Sequence, residues 1–122
     1  MKWNWFFIFI GGGFGSLSRY YLSALLNTKN ALMIPWGTFL SNLVACIILG
    51  YAVGKAGKAE GESELWVYLI SIGFCGAFST FSTFTKENYE LYIQGAYGSL
   101  CLYIVISLIL GFLGFILGHS LA

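Results

Sequence analysis

This chain is expected to be an all-α integral membrane protein with four transmembrane helices per subunit. Three features carry the expectation. Only 9% of its residues are charged and 58% are hydrophobic, against about 25% charged in an ordinary soluble domain. Mean hydropathy is +0.80, and the apolar residues gather into runs that match the ~20-residue crossing of a bilayer. Glycine is abundant and proline scarce, 16 residues against 1, which suits helices packed closely in lipid. A chain of 122 residues with this balance forms one membrane domain, 1–122. Its spans are expected at about 3–26, 35–54, 65–85 and 95–121.

Composition also excludes several functions. A net charge of +1 offers no basic face to nucleic acid. Cys46, Cys75 and Cys101 lie in apolar runs and read as small apolar fillers rather than a disulfide framework. The single histidine, His119, has no companions at metal-ligand spacing. No nucleophile–base pair assembles, so an enzyme is not expected.

The first span begins at Trp3. Trp3 and Trp5 suit the membrane interface. The apolar run is too long for a signal peptide and no Ala-x-Ala site follows closely, so it reads as a retained span. Gly11, Gly12, Gly13 and Gly15 permit close backbone contact or a local distortion. Arg19 has two readings. Near the span's end it snorkels to the interface with Tyr20 and Tyr21, or it faces a wet cavity.

Pro35 opens the second span, where its missing N–H is harmless. Gly37, Ser41 and Ala45 recur every four residues as a small-residue ridge. Beside it stands Asn42, a full amide in an apolar helix. It is interhelical glue or a donor to a permeating anion. Lys55 to Glu64 is a solvated loop.

The third span holds the stretch on which the chain turns, Gly73 to Phe84, with its repeat Phe78-Ser79-Thr80-Phe81-Ser82-Thr83-Phe84. On a continuous helix the three rings rise one per turn and spread over about a third of the circumference. Ring edges are electropositive, so a column of them beside hydroxyls offers a site to a small anion without formal charge. The plainer reading is packed rings, with hydroxyls bonded back to the preceding turn. Gly73 and Gly76 permit a mid-span break that frees backbone carbonyls. Lys86, Glu87 and Glu90 then follow the span as solvated charges.

In the fourth span Tyr103 and Ser107 share a helix face, by packing or as a polar track. Gly111, Gly114 and Gly118 form a second small-residue face.

With four spans, both termini and the Lys55–Glu64 loop lie on one side, with Lys2, Lys55 and Lys58. Lys29 and Lys86 lie on the other, with Arg19 near them. So even a balance gives the positive-inside rule little to act on. The chain can insert both ways round, which makes an antiparallel dimer available.

Three segments resemble the Fluc (CrcB-type) fluoride channels, in that family's order and over three of the four spans. They are Gly12-Gly13-Phe14-Gly15-Ser16-Leu17-Ser18-Arg19-Tyr20, Gly37-Thr38-Phe39-Leu40-Ser41-Asn42, and Gly73-Phe74-Cys75-Gly76 leading to Ser79-Thr80-Phe81-Ser82-Thr83-Phe84. The resemblance implies a dual-topology antiparallel homodimer in the inner or plasma membrane, with two pores that export fluoride passively. It implies a third helix broken mid-membrane. Asn42 matches the pore asparagine that donates to fluoride, and Phe81 and Phe84 match the phenylalanines whose ring edges coordinate it. Thr38, Ser82, Thr83, Tyr103 and Ser107 match a polar track, and Arg19 and Glu87 match vestibule residues. Gly76 and Ser79 match a break whose backbone carbonyls hold a structural Na⁺ on the dimer axis. The chain departs from the family at Ser79, usually Thr, and at Phe78, where a smaller aliphatic is common.

Two other functions compete. A proton-coupled exporter of cationic drugs shares this size and dual topology but needs a membrane-embedded carboxylate. The five carboxylates here, Glu60, Glu62, Glu64, Glu87 and Glu90, fall in expected loops or at span ends. A non-transporting scaffold accounts for the glycine ridges but not for the order of the motifs.

Overall fold

The computed structural model describes residues 3–58 and 65–122. Lys2, and Glu60, Glu62 and Glu64 of the hydrophilic run, lie outside the described residues. The described chain is all-helical. Helix α1 covers Asn4–Leu26 and α2 covers Trp36–Ala56. Leu65–Cys75 is wound as a π-helix and runs into the short α3, Gly76–Phe78. Helix α4 covers Phe81–Ile93 and α5 covers Tyr97–Ser120.

Trp36–Ala56, Leu65–Ile93 and Tyr97–Ser120 are long and apolar enough to cross a membrane, so this is a multi-pass membrane protein. The 23 residues of α1 reach roughly 34 Å at 1.5 Å each, a sufficient length. Its composition is more polar, because glycines, Ser16, Ser18, Arg19, Tyr20 and Tyr21 dilute the apolar residues.

Two close-packed pairs make up the body, α2 along α5 and α1 along the π-helix. Glycine sets both seams. A Cβ at Gly118 would overlap the carbonyl of Ile47, and one at Gly50 would overlap that of Phe115. In the other pair, Gly73 serves close approach: a Cβ there would lie 3.0 Å from Gly11 Cα and 2.9 Å from Ile8 O. Without side chains at these points the backbones come within van der Waals range.

The winding does not continue through the Phe-Ser-Thr repeat. Ser79 (φ −77°, ψ 158°) and Thr80 (φ −153°, ψ 122°) are extended. The continuous three-ring column is therefore corrected. Phe78, before these residues, is buried and stacks on Phe74 at 5.1 Å. Phe81 and Phe84 begin a new helix. The local cause is hydroxyl chemistry. Ser79 Oγ donates to Cys75 O at 2.8 Å, closing the helix behind it. Thr80 Oγ1 accepts from Thr83 N at 3.2 Å, an N-cap that starts α4.

Helix continues past the expected end of the third span at Thr85 and stops at Ile93. Lys86 and Glu90 pair at 2.9 Å one turn apart, which supports the extra turns. Termination follows from Gly95, whose φ of +72° is open to glycine at little cost. Gly95 N–H donates to Tyr92 O at 3.0 Å and Ala96 N–H to Leu91 O at 2.9 Å, a Schellman closure. Between α4 and α5 sits the buried cluster of Ile34, Phe39, Leu91 and Tyr103, with Phe84 packed against it.

Candidate functional site

The extended pair leaves backbone groups without helical partners, and helix α2 answers them. Asn42 Oδ1 accepts from Thr80 N at 2.7 Å, and Asn42 Nδ2 donates to Thr80 O at 3.3 Å. One amide thus replaces both bonds that the helix gives up at this residue. An amide nitrogen carries two N–H donors, and the second has no partner among the described residues. The bonds to Thr80 give Asn42 the first of its two sequence readings, a link between helices. It holds two elements together and retains a donor.

On the other side of the extended residues, Arg19 Nε donates to Ala77 O at 3.0 Å. A guanidinium here meets the negative end of the helix that closes at Phe78. Arg19 is half-buried, bound to a carbonyl and not simply turned to the interface. Gly76 is exposed, and nothing lies within 4 Å of where its Cβ would be.

Phe81 and Phe84 stand 6.3 Å apart between ring centroids, tilted by 38°. Their surroundings differ. Phe84 meets Tyr103 edge-on at 5.0 Å, whereas Phe81 is 81% exposed. Ser82 is exposed too, with its hydroxyl 3.5 Å from Thr80 Oγ1. The backbone of Thr83 is used in the Thr80 cap.

A second polar group forms where α2, α4 and α5 meet. Thr38 Oγ1 donates to Glu87 Oε1 at 2.6 Å, and Tyr103 OH donates to Glu87 Oε2 at 2.8 Å. Thr38 and Tyr103 are fully buried and Glu87 is 8% exposed. The expectation of a solvated charge after a span is corrected for Glu87. Helix carries it inward past Thr85, and neutral hydroxyls bind both its oxygens, as a buried carboxylate requires. The same chain makes Lys86 and Glu90 a surface pair.

One turn along α5 from Tyr103, the Ser107 hydroxyl is buried and has no hydrogen-bond partner among the described residues. Thr38, Glu87 and Tyr103 therefore lie together with Phe84, and Ser107 follows one turn further along α5. Asn42 and Thr80 form the neighbouring station on α2 and α4. Arg19 and Gly76 lie on the far side of the extended residues, of which Ser79 is the first, and Phe81 and Ser82 face outward.

A cavity of about 640 Å³ opens beside Glu87, lined also by Asn27, Lys29, Asn30, Lys86 and Gln94. Asn27 and Asn30 fall between the first two expected spans. Asn30 braces that connection, with Nδ2 donating to Ile34 O at 2.8 Å and Oδ1 accepting from Ile34 N at 3.2 Å. Asn27 reaches Gly37 N, at 2.6 Å. The signal was slight: an asparagine just after a helix, which commonly bonds its own neighbourhood.

Residues 6–119 match the family described as CrcB-like protein, Camphor Resistance (CrcB). The chain is 39% identical over 111 residues to a protein of Phocaeicola vulgatus named "Fluoride-specific ion channel FluC", covering 91% of each. It is 40% identical over 116 residues to a protein of that name in Azobacteroides pseudotrichonymphae, covering 95% of this chain and 93% of the relative. A Pyrococcus horikoshii protein of the same name is 39% identical over 116 residues, covering 92% and 93%. These relatives are named as ion channels, not as enzymes.

Proposed function

The chain belongs to the CrcB-like family, and on that premise we propose that it is a fluoride-specific channel that exports fluoride passively through the inner or plasma membrane. The observation that carries the reading is identity near 40% along nine-tenths of the chain to proteins named for that activity. The site's chemistry supports it. Fluoride is small and strongly hydrated, so a path must replace water's hydrogen bonds with donors that also let the ion leave. Asn42, the hydroxyls of Thr38, Ser82, Thr83, Tyr103 and Ser107, and the ring edges of Phe81 and Phe84 are such donors. Arg19 and Glu87 flank the path at its vestibules.

The working unit of this proposal is an antiparallel homodimer with four spans per subunit, α1 being the fourth, and two pores. In it the extended residues Ser79 and Thr80 lie mid-membrane. The exposure of Phe81, Ser82 and Gly76 supports a second copy, since all three turn away from their own chain. A structural Na⁺ on the axis completes the proposal. The donor chemistry fits: helix α3 ends in carbonyls, Gly76 adds no side chain in front of them, and carbonyl oxygen suits a hard cation. Gly76 and Ser79 would hold it, and it would supply positive potential between the pores.

One feature favours the rival exporter. Glu87 is a buried carboxylate within an apolar helical stretch, so the case against an embedded carboxylate fails for this residue. The two readings part in one experiment. A channel releases fluoride from liposomes without a proton gradient, and an exporter of cationic drugs releases none.

A further inference from the structure

We infer that Asn27 is a positioning residue for the buried Glu87 carboxylate, tying the first turn of α2 to α4 at the wall of the cavity. The inference rests on the fluoride-channel reading of that site. It begins with backbone groups. Asn27 is the residue after α1, and its own N–H still bonds to Ser23 O at 2.9 Å. Its side chain crosses to the next helix. Oδ1 accepts from Gly37 N at 2.6 Å, and Gly37 is the second residue of α2, where N–H groups lack partners within the helix. Asn27 thus caps a helix that begins nine residues further on. Only glycine allows this approach. A Cβ at Gly37 would lie 2.6 Å from Ser23 Cα and 2.7 Å from Asn27 Oδ1.

The cap fixes the amide's orientation. A backbone N–H needs an oxygen, so Nδ2 must face the other way. There it meets Thr38 Oγ1 and Glu87 Oε1, each at 3.5 Å. These contacts are long, and their geometry is that of a donor set between two acceptors at the edge of a hydrogen bond. Thr38 Oγ1 donates its own hydrogen bond to Glu87 Oε1 at 2.6 Å. Asn27 therefore acts on Glu87 twice, through the placement of Thr38 and through the N–H that faces the carboxylate. It does so from the cavity wall, which it shares with Glu87.

Two halves of one amide can be separated by substitution. Asn27→Ala removes both. Asn27→Asp keeps an oxygen for Gly37 N–H but sets a second carboxylate beside Glu87, and carboxylates this close share a proton. The other charged or titratable groups around the position are Lys29 on the loop, Lys86 and Glu90 of α4, paired with each other at 2.9 Å, and Tyr103 of α5. The test is fluoride efflux from liposomes at pH 8 and pH 6, with leak from protein-free vesicles subtracted and oligomeric state checked by size-exclusion chromatography. Unmodified chain, Asn27→Ala and Asn27→Asp are compared.

Asn27→Ala is expected to assemble and to lose about tenfold in flux. Asn27→Asp is expected to assemble, to be about as slow at pH 8, and to recover several-fold at pH 6 beyond any change in the unmodified chain. Efflux from Asn27→Asp that tracks the unmodified chain at both pH values would overturn the inference, as would unaltered flux in Asn27→Ala. Loss of assembly in both variants would also overturn it, by reducing Asn27 to a helix cap. Silence from assembled unmodified protein would instead remove the channel reading itself, and this inference with it.

Discussion

At Asn42 a side-chain oxygen accepts the N–H of Thr80 at 2.7 Å, while one of the amide's two donors has no partner among the described residues. Asn42→Asp keeps the acceptor and replaces the donors with negative charge. A like charge about 4 Å from a permeating anion costs about 4 kcal/mol at an effective dielectric near 20. The variant is expected to assemble as the unmodified chain does and fluoride flux to fall more than roughly a hundredfold, read by efflux beside size-exclusion chromatography. The aromatic pair divides in another way. Phe84 packs edge-on against Tyr103, so Phe84→Ile should lose about 0.5–1.5 kcal/mol of stability. Phe81 is 81% exposed on its own chain, so Phe81→Ile should cost no packing within the subunit. Both are expected to lower flux with assembly intact. Unchanged flux in both would remove the ring-edge argument. At Tyr103, removal of the hydroxyl takes one donor from the Glu87 carboxylate. Tyr103→Phe is expected to cost about 1–3 kcal/mol in detergent unfolding.

At the scale of elements, the glycine seams carry the packing, and they were largely legible in the sequence. Gly37, Ser41 and Ala45 are all buried on α2, and Gly114 and Gly118 on α5. Small residues at helical spacing in an apolar run announce close contact. Gly118→Ala should therefore destabilise by about 1–3 kcal/mol, because the added carbon overlaps Ile47 O. Gly98→Ala on the same helix meets nothing within 4 Å and should be neutral or slightly stabilising. Thermal unfolding of the two variants side by side distinguishes them. What the sequence hid was where winding stops. Periodicity carries a helix through Phe78, Phe81 and Phe84, but Ser79 and Thr80 compete for backbone groups with their own hydroxyls, a local contest that a three-residue repeat masks. The burial of Glu87 was hidden for a related reason. A carboxylate beyond an apolar run reads as solvated unless its donors are known, and those donors, Thr38 and Tyr103, are 49 and 16 residues away.

At the scale of the whole molecule, the proposed four spans per chain, and the even distribution of Lys and Arg between the two sides that they would give, make dual insertion the economical assembly. A single cysteine placed at the C-terminus, with Cys46, Cys75 and Cys101 replaced by alanine, should be labelled from both sides of the cell membrane in similar shares. Labelling from one side alone would contradict the antiparallel dimer. In the proposed dimer, the outward-facing Phe81 ring and Ser82 hydroxyl of α4 are where the second copy would meet the path. The central claim is that the path carries fluoride passively. The direct measurement is fluoride efflux from liposomes holding the purified protein, read by a fluoride electrode with chloride as the control and no proton gradient. Rapid release of fluoride with chloride retained is the predicted result. No release of fluoride from verified dimers, or equal release of chloride, would contradict it.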